Sequence, residues 1–364
     1  MIPFRAHFLE VFRWSSEEDV EAAEIAAGGL GMAVPVLLSV ISGNLAPGMT
    51  AALGSLAVGR VEITAGLRAH LRGEAEAMVP AILAVALAAV CSGHGWASVA
   101  ALVLATGFAA VVSGFSRPIA VATTRFILFL MIVSAVATPT RALGMTETIR
   151  ILALVAAGAL WTSTLSLAFG RFVRWHRGVH APAPSSHSTL LLRQKYARWR
   201  RTLTSFAGWS YPIRLTSCVA LAFALDAGWP DHHLHWAGLT VAILTERYVE
   251  LVPIKTTQRA LGTALGVIVA GIALRPGLPS WALIGAVAVL AGVRPVLRVK
   301  NYLAYSAVMT PLIILIIDAG HPPHGGLLLD RLIATLIGAA LVVGTNALVT
   351  RLSASEGKTP KVIL

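Results

Sequence analysis

From Ala22 onward the chain alternates apolar segments with short charged turns, and this pattern constrains its fold more than any single motif. A segment of about 20 apolar residues crosses the roughly 30 Å hydrocarbon core as a helix. The composition agrees: 56% of residues are hydrophobic and only 13% charged, with a mean hydropathy of +0.76, against about 25% charged in soluble proteins. The expected fold class is therefore an all-α polytopic membrane protein with little sequence left for a soluble domain.

Six segments are expected in the first half, near 22–42, 46–59, 75–92, 95–114, 118–138 and 148–170. Six more follow near 210–226, 235–245, 259–274, 280–293, 302–318 and 327–350. Orientation follows from where the basic residues fall. Of the 29 Lys and Arg residues, only Arg141, Arg150, Arg275 and Arg331 lie in alternate loops on one side, and Arg125 and Arg214 lie within segments. The rest gather on the other side and in the tails, so the N- and C-termini are expected in the cytoplasm. A charge of +12 gathered in this way sets topology and offers no basic soluble face for nucleic acid.

The reading divides the chain into an interfacial segment over 1–21, a first membrane repeat over 22–170, a basic cytoplasmic linker over 171–208, a second repeat over 209–352 and a tail over 353–364. Phe4, Phe8, Val11 and Phe12 recur at helical spacing beside Arg5 and Arg13, as in a helix lying on the membrane surface. Ser15-Ser16-Glu17-Glu18 reads as a capping box for the first spanning helix. In the linker, Leu192, Tyr196, Trp199, Leu203 and Phe206 share one face of a basic amphipathic helix.

The two halves resemble each other. A single offset brings Gly59-Arg60 onto Glu246-Arg247 and Arg72-Gly73 onto Arg259-Ala260, which predicts two parallel repeats of six helices related about the membrane normal. In both halves the second segment is short, 46–59 and 235–245. Paired short segments point to a transport site, because their terminal backbone groups need protein, water or ligand.

Residues Trp236 to Thr240, a charged turn, then Gln258-Arg259-Ala-Leu-Gly262-Thr263-Ala-Leu-Gly266 resemble the fusaric acid resistance and aromatic acid exporter family. Tyr302 to Pro311, Asp330-Arg331 and the helix with Gly338 and Gly344 resemble the end of the same module. The resemblance implies a twelve-helix exporter of aromatic or other organic acids, with plant malate channels as distant relatives. The chain departs from larger members in having only the 171–208 linker where they carry a cytoplasmic domain.

Intramembrane charge is expensive and marks function by default. Arg125 lies inside the fifth segment, and Arg72 and Arg259 open the third segment of each half, where a guanidinium suits a carboxylate. Pairing with Glu74, Glu62 or Glu250 is the structural alternative for these two. Arg60 and Arg247 lie in the same inner turns and complete the expected anion pathway. Glu246 and Asp318 border apolar runs and are the proton-coupling candidates. Gly262 and Gly266 stand four apart and are expected to let helices approach closely.

His232, His233 and His235 lie with Asp231 in one loop, and His321 and His324 in another. Loop spacing of this kind is a weak metal signal, and no metal or other cofactor is assigned. The two cysteines, Cys91 and Cys218, have no partner spacing. No Walker, hydrolase-elbow or HExxH motif occurs, so an enzyme is not expected. The resulting expectation is a secondary exporter of small organic anions in a bacterial inner membrane, working by alternating access and coupled to protons. A passive anion channel and a non-transporting scaffold are the alternatives. The bilayer and an anionic substrate are the expected partners, with a homo-oligomer or a periplasmic adaptor protein also compatible.

Overall fold

The structure is a computed structural model that describes residues 10–16, 20–58, 67–135, 142–177, 192–229, 232–247, 252–274, 279–318 and 326–355. Among these residues every regular element is a helix. The helices are α1 (Ala22–Ile41), α2 (Leu45–Ser55), α3 (Leu67–Cys91), α4 (Trp96–Val112), α5 (Arg117–Ser134), α6 (Met145–Arg177) and α7 (Leu192–Leu203). They continue as α8 (Phe206–Gly228), α9 (His235–Leu244), α10 (Val252–Ala273), α11 (Ser280–Lys300), α12 (Tyr302–Asp318) and α13 (Leu327–Ser355).

Among the described residues six helices are long and apolar enough to cross a membrane: Ala22–Ile41, Ala69–Cys91, Arg117–Ser134, Met145–Val173, Ser280–Lys300 and Leu327–Arg351. Their outer faces carry large apolar side chains such as Leu38, Leu83 and Leu336. Such faces suit lipid, not water. The other expected segments are also helical, but α4, α9 and α12 are shorter, and α8 and α10 carry charged residues within their length.

Several helices extend beyond their apolar stretches. α3 begins at Leu67 instead of 75 and α10 at Val252 instead of 259, so Arg72 and Arg259 stand inside helices and do not open them. Hydropathy marks where a helix enters hydrocarbon, whereas its hydrogen-bonded backbone starts in the charged turn before it. The first spanning helix, by contrast, starts at Ala22 after an N-cap Glu21 that makes no side-chain cap, not at the expected capping box. Ser15 is used differently, its N–H donating to the Lys300 carbonyl. The two short segments are short helices, α2 with 11 residues and α9 with 10, each rising only about 15 Å.

The chain forms two compact units, residues 1–86, 144–186 and 257–329 in the first, and 87–143, 187–256 and 330–364 in the second. In the first unit, α1 packs on α2, α6 and α11, α2 packs on α6 and α12, and α11 packs on α12. In the second, α8 packs on α9 and α4, α9 on α5, and α4 on α5. Gly338 brings α13 against Ala237 and Thr240 of α9. Each unit thus joins the first, second and sixth helices of one sequence half to the fourth and fifth of the other.

Small residues make these crossings. Gly28 and Gly29 of α1 lie against the backbone of Ala288 and Ala291 on α11 in the first unit. Gly107 of α4 lies against Thr216 of α8 in the second. With no Cβ at the crossing, helix backbones approach closely and gain dispersion contacts that lipid cannot supply.

Candidate functional site

The glycines expected to pack do so. On α10, a Cβ at Gly262 would fall 2.6 Å from the Leu303 carbonyl oxygen, and one at Gly266 would fall 2.7 Å from that of Ala307. α10 and α12 are therefore in backbone contact, and the side chain of Arg259, one turn before Gly262, is enclosed where they meet.

Arg259 is only 2% exposed. Its Nη1 donates to Ser306 Oγ on α12 at 3.2 Å. Among the described residues, Nε and Nη2 have no acceptor. These two nitrogens form one edge of the guanidinium plane, the edge that holds a carboxylate through two parallel hydrogen bonds. Thr263, one turn further along the same face, also has a buried hydroxyl with no partner among the described residues. A buried cation left in this way is costly unless an anion completes it.

The other predicted residues are placed as follows. Arg72 is exposed and pairs with Glu76 at 2.8 Å, a helical i,i+4 pair rather than one with Glu74. Glu74 is instead buried, accepting from Ser163 Oγ at 3.0 Å with His70 Nε2 3.7 Å away. Arg125 is half-buried on α5. Arg247 donates from Nη2 to the Ser113 carbonyl at 2.6 Å and to its hydroxyl at 2.7 Å, with its guanidinium 5.4 Å from the Tyr211 ring centre. Glu246 is ion-paired with Lys255. Arg60, Asp231, His321 and His324 lie outside the described residues, as does the side chain of Asp318.

Two polar centres escaped the sequence reading. Arg214 on α8 is 2% exposed and fully engaged, donating to Asn346 Oδ1 at 2.5 Å, to the Glu246 carbonyl at 3.1 Å and to the Ser210 carbonyl at 3.2 Å. Asp330 on α13 accepts from His232 Nδ1 at 3.1 Å and from His233 Nδ1 at 3.2 Å. Asn346 lies 132 residues from Arg214, and His232 and His233 lie 98 and 97 from Asp330, so neither helical periodicity nor local spacing could connect these pairs.

Residues 216–344 match the family model described as fusaric acid resistance protein-like. Over those residues the chain is similar to the fusaric acid resistance protein-like family. That stretch contains Arg259, its partner Ser306 and both packing glycines, and it spans α9 to α12 with most of α8 and α13. No curated protein and no solved structure matches the chain. This similarity, together with the six apolar helices, indicates a multi-pass membrane protein of the transporter type.

Proposed function

We propose that the protein exports small organic anions, with aromatic carboxylates as the substrate class and Arg259 as the cation that binds the carboxylate. The observation that carries this reading is a guanidinium 2% exposed whose Nη1 is fixed by Ser306 and whose Nε and Nη2 have no acceptor among the described residues. One fixed corner orients the fork, and a carboxylate supplies the missing charge and both acceptors. Arg72, Arg125 and Arg247 add positive charge that would draw the anion along its path, from the bacterial inner membrane's cytoplasmic side outward.

We also propose that the two halves are duplicated six-helix modules with cytoplasmic termini, and that transport proceeds by alternating access. Support comes from the matching helix pairs in the two units, first helix on fourth and second on fifth, in each case taken across the halves.

The deciding experiment is efflux of labelled 4-hydroxybenzoate from vesicles containing the purified protein, with and without an imposed pH gradient. Gradient-dependent efflux that Arg259→Gln abolishes is the expected result. Equal efflux from Arg259→Gln and the parent protein would remove Arg259 from the site, and gradient-independent flux would replace the exporter with an anion channel.

A further inference from the structure

At one end of the second unit the end of α8, residues 232–234, the start of α9 and the start of α13 bring five titratable side chains together. The Asp330 carboxylate is 9% exposed, and each of its oxygens is bonded to one imidazole, Oδ1 to His232 and Oδ2 to His233. The His233 backbone N–H reaches Oδ2 as well, at 3.4 Å. An ionised carboxylate only accepts, so both imidazoles must carry their proton on Nδ1 and leave Nε2 as a base. These rings are 58% and 44% exposed, so the bases are open to water although the carboxylate behind them is not.

The chain of groups continues inward. The His233 ring lies 5.8 Å from that of His235, whose Nδ1 is 3.8 Å from Asp226 Oδ1 on α8. Arg331, 1% exposed, lies over the face of Trp236 with its guanidinium carbon 3.7 Å from the ring centre. α5 also packs on α9, but from Ile127 to Val133 it brings only apolar side chains. Among the described residues, and with neutral imidazoles, this group of side chains includes two carboxylates, Asp226 and Asp330, and one guanidinium, Arg331. One added proton makes it neutral, and a second would leave excess positive charge beside a buried arginine.

We propose that His232, His233 and Asp330, backed by His235 and Asp226, form a proton-binding site that takes up a single proton on the side where the basic residues are scarce. Among the described residues no three of these groups converge as metal ligands. A proton on either Nε2 converts the neutral imidazole's bond to the Asp330 carboxylate into an imidazolium–carboxylate pair, tightening residues 232–235 onto α13. As the coupling step of anion export this rests on the function proposed above, whereas proton binding itself does not.

The test uses full-length protein in lipid nanodiscs, labelled with 15N-histidine and followed from about pH 5 to 8, with His232→Gln and His233→Gln assigning the signals. In the parent, both rings are expected as Nδ1–H tautomers that share one protonation. Asp330→Asn is expected to move the midpoint to lower pH and to release the tautomers, because the charge favouring imidazolium is gone. In His232→Gln the midpoint of His233 is expected to rise, since Asp330 then serves one ring. Identical midpoints and tautomers in the parent, Asp330→Asn and His232→Gln would overturn the proposal. Efflux of 4-hydroxybenzoate in the same proteins separates the two ideas. If the parent carries no flux the exporter reading fails and the titration still decides the proton site, whereas flux whose pH profile ignores Asp330→Asn would overturn the coupling role.

Discussion

Arg214 and Asn346, 132 positions apart, are joined at 2.5 Å by a hydrogen bond from a guanidinium that is 2% exposed. The bond closes α8 on α13 inside one unit. Asn346→Leu should therefore destabilise the protein by about 1–3 kcal/mol, because it leaves a buried donor unmet. Arg214→Met in the same protein should restore part of the loss by removing the stranded charge. Thermal unfolding in detergent, followed by size-exclusion recovery, reads both effects, and additive losses would show that the two side chains act independently.

The close approach of α10 and α12 makes a second prediction. A methyl at Gly262 would meet backbone and the Ser306 side chain, neither of which can yield without parting the helices. Gly262→Ala should cost about 1–3 kcal/mol. Gly285, whose surroundings are open, should accept alanine with no loss and serves as the control.

Arg259 can be tested for geometry as well as charge. Arg259→Lys keeps a cation but loses the fork, so efflux at limiting substrate should fall roughly 10- to 150-fold, the range expected from one charge-assisted hydrogen bond. If lysine supports parental flux, the site needs only a positive charge and the two-point contact is wrong.

Trp199 of α7 donates from Nε1 to the Val111 carbonyl at 3.2 Å and lies edge-on to Phe115, with ring centres 6.0 Å apart. Trp199→Ala should loosen α7 from the end of α4 and speed tryptic cleavage at Arg198 and Arg200, while anion efflux persists. Loss of efflux with unchanged folding would make the linker helix part of the transport machinery.

Orientation is open to labelling. In a background lacking Cys91 and Cys218, a single cysteine replacing Arg200 should react with a membrane-impermeant maleimide only after cells are permeabilised. One replacing His94 should react in intact cells. The opposite pattern would invert the topology expected from the basic residues.

The sequence by itself determined the class of protein, because apolar length and the placement of Arg and Lys are local quantities that the bilayer reads directly. It also located the two short helices and the Gly262/Gly266 contact, since both depend on composition and spacing within one element. It could not decide which helices share a unit. A repeat says which elements are equivalent but not which ones pack, and small-residue crossings fit several partners. Only the tertiary structure paired α1 with α11 and α8 with α4, and only it decided how each charge is used. Arg259 is enclosed with Nε and Nη2 lacking an acceptor among the described residues, Arg214 is fully engaged, and Asp330 is held by two histidines. Those differences rest on neighbours supplied from distant sequence, and burial turns each neighbour into the controlling term.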